Sequence, residues 1–256
     1  MTAAKHSSTE AYAAFAYAYD QALGIRFFQA ARKLLEQANA AYPSKTKTHL
    51  DVACGTGLTG SYFEELGWKS VGLDASLPML QRARMRTRHP VAGDYRALPF
   101  RGTFARITCL YDSLNHLQDR TELVGAFKSM RRLMAPDSLL LFDMNHPEVY
   151  PEVWGMSEPY VAAGETYHLE IATTYRKRDA RGRALVTGWA KLPGGERVEI
   201  REAHEQRAYS EREITRSLGE AGLAIVDVID FDPYNEAESL GTGVKLFFIC
   251  RPAAGK

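Results

Sequence analysis

The run Gly55-Thr56-Gly57-Leu58-Thr59-Gly60 has the G-x-G-x-x-G spacing; Asp51 stands four residues before it, and Asp74 nineteen residues after Gly55. Glycines let a backbone approach a ligand closely, and the helix N-terminus that follows such a loop favours negative charge. A carboxylate at the end of the next strand can accept two hydrogen bonds from a ribose diol. The loop and Asp74 alone describe a dinucleotide site equally well.

Asp51 separates the two readings. It falls inside the strand that leads into the loop, where a dinucleotide fold keeps apolar packing, and a buried carboxylate is costly unless something neutralises it. S-adenosyl-L-methionine carries an ammonium and a sulfonium in place of a pyrophosphate, so an acid beneath the loop would orient and neutralise it. A third acid, Asp94, is followed by Tyr95 at the end of a short strand, and an acid beside an aromatic suits adenine. His116, in Tyr111-Asp112-Ser113-Leu114-Asn115-His116-Leu117, is a candidate general base because its ordinary pKa lies near neutrality. The segment Ala16-Tyr17-Ala18-Tyr19-Asp20, with Tyr12 before it, offers tyrosines to wall the pocket; Tyr17 is the second candidate catalytic side chain and Tyr19 a cofactor contact. Core packing at helical spacing is the alternative for these tyrosines.

The elements that must position these residues follow from periodicity. Ala11 to Tyr42 has apolar residues at three- and four-residue steps with a break near Gly24, which predicts two helices. Short apolar runs ending at Cys54, Asp74, Gly93, Leu110 and Met144 predict five strands, alternating with a helix that Ser76 caps and that reaches Arg88, where His89-Pro90 stops it, and with one opened by the Asp119 and Glu122 capping pair. Such alternation implies a doubly wound, mostly parallel sheet. Between Pro159 and Tyr209 the period changes to two, with turn signals at Asp179-Ala180-Arg181-Gly182 and Pro193-Gly194-Gly195, predicting a three-stranded antiparallel insertion. Ser210 to Glu213 caps one more helix, and strands from Ala224 to Phe231 and from Val244 to Cys250 close the chain. The expected organisation is a helical cap over 1–42 and a cofactor-binding domain over 43–256. Within that domain, residues 159–209 form a lid that offers Tyr175, Trp189, His204, Arg207 and Tyr209 to an acceptor.

Four motifs in order carry a resemblance: Leu50-Asp51-Val52-Ala53-Cys54-Gly55-Thr56-Gly57, Gly72-Leu73-Asp74-Ala75-Ser76, Gly93-Asp94-Tyr95-Arg96-Ala97-Leu98-Pro99-Phe100, and Arg131 to Leu139. Together they resemble the class I, Rossmann-like S-adenosylmethionine-dependent methyltransferases of small-molecule type. The resemblance implies an α/β doubly wound, seven-stranded sheet whose last strand is antiparallel. It also implies that Gly55 and Gly57 line the methionine portion with Asp51 and Ala53. Asp74, with Ala75 and Met79 nearby, would hold the ribose; Asp94 and Tyr95 would face adenine, and Leu110 and Tyr111 would lie beside the sulfonium. The insertion resembles those of glycine and amino-sugar N-methyltransferases, which cover their acceptor at this point. A non-catalytic S-adenosylmethionine sensor and an NAD-dependent oxidoreductase are the alternative functions.

Composition narrows the partners. A net charge of +1 over 256 residues gives no broad positive field for nucleic acid or an anionic membrane, and no Asn/Asp-Pro-Pro-Tyr run of nucleic-acid adenine methyltransferases follows the fourth strand. The three cysteines show no C-x-x-C spacing, which suits reduced thiols and argues against a zinc site. No stretch approaches the roughly 18 apolar residues of a spanning helix. The expectation is a cytoplasmic monomer or homodimer acting on a small-molecule acceptor, without metal, nucleic acid or membrane.

Overall fold

The computed structural model describes residues 14–234 and 244–254. Its centre is a seven-stranded sheet built from β1 (Thr48–Val52), β2 (Lys69–Asp74), β3 (Pro90–Ala92), β4 (Phe104–Cys109), β5 (Met134–Asn145), β10 (Leu223–Phe231) and β11 (Lys245–Pro252). The spatial order is β3-β2-β1-β4-β5-β11-β10. β1 to β5 pair in parallel, and β11 runs antiparallel to both β5 and β10. This is the expected doubly wound sheet with its reversed final strand.

Two apolar layers sandwich it, as a sheet of near-continuous hydrophobic strands requires. One centres on Phe127, Phe142, Phe248 and Leu218, beneath α5 (Arg120–Arg131) and α6 (Glu211–Glu220). The other centres on Phe63, Leu35, Leu141 and Phe247, beneath α2 (Ile25–Ala41) and α3 (Leu58–Glu65). Side-chain caps set the helix starts: Asp119 accepts from the Glu122 amide at 2.9 Å. Ser210 and Glu213 form a reciprocal capping box.

Three sequence expectations need correction. The N-terminal helices do not break at Gly24, whose φ of −63° is ordinary helix. Instead α1 (Ala16–Tyr19) passes through a π-helical turn, Asp20–Gly24, directly into α2. The extra residue in that turn shifts the apolar phase, which in the sequence looks like an interruption. The insertion has four strands rather than three: β6 (Tyr160–Gly164), β7 (Tyr167–Arg176), β8 (Arg181–Lys191) and β9 (Arg197–Arg207) form a separate antiparallel sheet. The β6 to β7 turn at Glu165-Thr166 has no glycine, proline, asparagine or aspartate at its two central positions. Helix α4 (Leu77–Ala83) stops five residues short of Arg88, and Pro90 opens β3 instead of ending a helix.

The inner face of the small sheet, with Leu169, Val186 and Ile200, packs against Phe15, Ala18 and flanking residues of α1. The N-terminal helix is therefore clamped between the insertion and the main sheet.

Candidate cofactor and acceptor site

At the carboxyl edge of β1 the chain turns through a sequence of positive φ angles, Ala53 at 56°, Gly55 at 52° and Gly57 at 85°. A side chain on Gly57 would meet the Ala83 backbone at 3.2 Å, whereas one on Gly55 would project into open space. Gly55 thus leaves its backbone bare toward an open cleft. Asp51, Ala53, Thr56, Leu110, Tyr111 and Tyr19 line the same cleft.

Asp74 holds this loop. Its Oδ2 accepts from the Gly55 amide and its Oδ1 from the Ser76 amide, each at 2.8 Å. A carboxylate has about four lone-pair positions, so half remain for hydroxyl donors. Burial raises the Asp74 pKa against the pull of these amides. Asp51 is 2% exposed and accepts from the Thr108 hydroxyl at 2.6 Å. Burial, with the nearby Asp74 charge adding to it, pushes Asp51 up to about 7. Among the described residues no ion pair reaches either acid. An acid lining the cleft without a cation, Asp51, and a second, Asp74, behind the Gly55 amide favour a positively charged ligand over a pyrophosphate, so the residues present fit S-adenosyl-L-methionine.

The other expected cofactor contacts divide. Leu110 is buried and Tyr111 half-buried on the cleft wall, with Tyr111 stacked on Phe27 (centroids 4.2 Å apart, planes at 19°) and 5.7 Å from Tyr19. Met79 is buried, and its amide caps onto Ser76 beside half-buried Ala75. Asp94 lies at the same sheet edge, but its carboxylate is bound by the Arg96 guanidinium and amide. That pairing outweighs the opposing effect of burial and lowers its pKa. Tyr95 reaches the Ser113 carbonyl through its hydroxyl at 3.3 Å. Tyr17 does not line the cleft; its ring sits 5.6 Å from the Arg82 guanidinium of α4. Tyr12 lies outside the described residues.

On the acceptor side, His116 Nδ1 is 3.1 Å from the Glu205 carbonyl oxygen. A carbonyl only accepts, so Nδ1 carries the hydrogen and Nε2 keeps its lone pair. Burial, reinforced by His204, lowers the His116 pKa to about 4 against the opposing pull of Asp112. The rings of His116 and His204 lie 6.2 Å apart, and His204 Nε2 is 3.4 Å from Glu202 Oε2. Strand β9 thereby presents His204, Glu202 and Gln206 to the loop after β4. Of the other insertion residues expected at the acceptor, Tyr175 packs on Tyr150, while Trp189 lies under Arg197 and Arg207 pairs with Glu213.

Residues 50–137 match a family described as a methyltransferase domain, on a fold whose glycine loop and acids are those just described. Over these residues, about a third of the chain, the sequence is similar to a methyltransferase domain. Its structure superposes on a S-adenosylmethionine-dependent methyltransferase from Clostridium acetobutylicum with a TM-score of 0.77, at 20% identity over 95% of this chain and 99% of that one. DesVI from Streptomyces venezuelae gives a TM-score of 0.70, at 21% identity over 92% and 95%. In sequence, a putative methyltransferase, YqeM, of Bacillus subtilis is 32% identical over 151 residues, which span 55% of this chain and 60% of that protein. A dTDP-3-amino-3,6-dideoxy-alpha-D-glucopyranose N,N-dimethyltransferase of Streptomyces fradiae is 28% identical over 71% of each.

Two parts of the candidate site escape sequence reasoning. The first is Asp20, 4% exposed, which accepts from the Thr56 hydroxyl at 2.5 Å and pairs with Arg86 at 2.7 Å. It fastens the N-terminal helix to the glycine loop. Its adjacency to Tyr19 in sequence was the one available signal. The second is Lys245, 1% exposed, whose Nζ lies 2.5 Å from Asp112 Oδ1, 3.2 Å from Asp143 Oδ2 and 2.8 Å from Asn145 Oδ1. Burial alone would lower its pKa, but the two acids outweigh that and hold it above the ordinary lysine range. Asp143 in turn accepts from the Tyr111 and Asp112 amides. Those two residues have φ of 60° and 48°, a left-handed backbone that costs energy outside glycine. The buried cluster holds that turn, and with it the cleft wall.

Proposed function

We propose that this protein transfers a methyl group from S-adenosyl-L-methionine to a nitrogen or oxygen of a small-molecule acceptor, with an amine the leading class. The acid Asp51, without a cation on a cleft walled by Tyr19, Leu110 and Tyr111, with Asp74 holding the Gly55 amide of the same loop, is the observation that carries this reading. The likeness to an amino-sugar N,N-dimethyltransferase over 71% of each chain supports the amine.

In this reading Gly55 and Asp51 hold the methionine portion, Asp74 the ribose hydroxyls, and Leu110 with Tyr111 border the sulfur. S-adenosyl-L-methionine, when bound, supplies a methyl group activated by its positive sulfur. The chain's task is to align the acceptor atom opposite that sulfur and exclude water. Residues 1–42 and the sheet within 159–209 serve as the cover. His116 Nε2, neutral above about pH 4, takes the proton that the acceptor nitrogen sheds. Tyr17 contributes by seating α1 against Arg82 rather than by touching the acceptor.

Incubation with labelled S-adenosyl-L-methionine and a panel of amines that includes nucleotide-linked amino sugars tests this. Label should enter an amine, and His116→Asn should lower kcat far more than it raises KM. Failure of S-adenosylhomocysteine to bind in calorimetry would overturn the cofactor assignment, and label in a macromolecule alone would overturn the acceptor class.

A further inference from the structure

Beneath Asp51 the sheet interior carries a file of polar groups that neither cofactor nor acceptor touches. His49, fully buried on β1, lies flat against Phe63 of α3, centroids 3.7 Å apart. Its Nδ1 is 2.8 Å from the Ser70 hydroxyl of β2, and its Nε2 is 2.9 Å from the Thr108 hydroxyl of β4. Thr108 in turn is the group bonded to Asp51 at 2.6 Å. Ser70 and Thr108 are 3% and 0% exposed. Register explains the alignment: His49 pairs with Ser70 across β1 and β2, and Asp51 with Thr108 across β1 and β4. Residues two apart on a strand share a face, so one face of the sheet lines up all four side chains.

Each hydroxyl has one hydrogen, so the file can run in only one direction at a time. With Asp51 ionised, Thr108 O–H donates to Asp51, His49 Nε2–H donates to Thr108, and Ser70 O–H donates to His49 Nδ1. With a proton on Asp51 Oδ1, every link reverses: Asp51 donates to Thr108, Thr108 to Nε2, and Nδ1–H to Ser70. Atoms and charge balance, because the imidazole stays neutral and only its hydrogen changes nitrogen. Burial, with Arg106 of β4 adding to it, holds the His49 pKa near 3, so no imidazolium intervenes.

The other groups facing this file do not compete for the proton. Asp51 sees Asp74 of β2, the Gly60 amide of α3 and the thiols of Cys54 and Cys109, and burial keeps both thiols protonated. His49 sees only Arg106 as a charge.

We propose that Ser70, His49 and Thr108 form a positioning relay that sets the charge of Asp51, and that arrival of a cation above Asp51 locks His49 as its Nε2–H tautomer. This rests on the reading that Asp51 faces the cationic methionine portion of the cofactor. An isolated buried acid would take up a proton and lose its hold on a cation; the relay supplies a donor to the ionised form.

The test uses the full chain labelled with ¹⁵N-histidine, the His49 signals being identified by their loss in His49→Gln. In the free protein the Nε2–H pattern is expected at about pH 9, giving way to the Nδ1–H pattern as the pH falls through about 7, where Asp51 titrates. Saturation with S-adenosylhomocysteine, whose ammonium remains, should restore the Nε2–H pattern at about pH 6. By calorimetry, Thr108→Val should weaken S-adenosylhomocysteine about tenfold at pH 7, with the gap closing toward about pH 9, and Thr108→Ser should regain the loss. A single His49 tautomer at every pH overturns the relay. So does a Thr108→Val deficit equally large at both pH values, which would mark Thr108 as packing alone. If wild-type protein binds no S-adenosylhomocysteine at any pH, the cofactor reading fails, while the tautomer titration of the free protein still decides the relay.

Discussion

Asp74 does two jobs with one carboxylate. Two of its lone pairs fix the amides of Gly55 and Ser76, and the proposed function gives the ribose hydroxyls to the same carboxylate. Asp74→Ala removes both, so S-adenosylhomocysteine affinity should fall about tenfold to over a hundredfold, or ~1.5–3 kcal/mol, by calorimetry. Asp74→Asn keeps an oxygen for one amide only and should lie between. The types and spacing of Asp51, Gly55, Gly57 and Asp74 made this part of the site legible, because a loop that must bare its backbone has few residue choices. His49 and Asp20 were illegible for the opposite reason. A histidine in an apolar strand and an aspartate in a helix each acquire meaning only from partners brought by folding, Thr108 fifty-nine positions from His49 and Thr56 thirty-six from Asp20. Asp94 adds a local partner that the motif does not show, since its carboxylate, which the resemblance assigns to adenine, pairs with Arg96 two residues away.

At the scale of elements, the N-terminal helix is the piece whose order depends on the site. It touches the glycine loop through Asp20 and the small sheet through Phe15, whose amide donates to Glu202 at 3.2 Å. Asp20→Ala frees the Thr56 hydroxyl and the Arg86 guanidinium together. We expect faster amide exchange across residues 16–24, several-fold weaker cofactor binding, and unchanged exchange in β1, β4 and β5, read by hydrogen exchange and calorimetry on one sample. Periodicity located nearly every element here, since helices and strands bury faces at fixed intervals. It failed where the interval itself changes, at the π-helical turn over Asp20–Gly24, and where a hairpin turns on Glu165-Thr166 without the usual turn residues.

Across the whole molecule, Lys245 ties β11, β5, the loop after β4 and the small sheet together. It contacts Asp112, Asp143 and Asn145, and the Gln206 side chain of β9 donates to Asp112 while accepting from Asn145 and from Tyr150. Lys245→Met strands two acids in the interior. It should cost about 3–5 kcal/mol in urea denaturation, and adding Asp112→Asn should recover part of the loss. The alternation of strands and helices made the doubly wound parallel sheet foreseeable, and the resemblance its reversed last strand. The partnership of Lys245 with Asp112 was not, as 133 positions separate them.

The reversal of β11 is what makes that partnership possible. Parallel strands deliver their last residues to the edge where ligands bind; a strand running the other way delivers its first. Lys245 opens β11 opposite Asn145, which closes β5, so the chain reaches the working edge from outside the sheet and brings a cation to a rim otherwise supplied with acids. Had the closing strand run parallel, Lys245 would sit at the far rim and its place here would fall to Pro252, a residue without a charge.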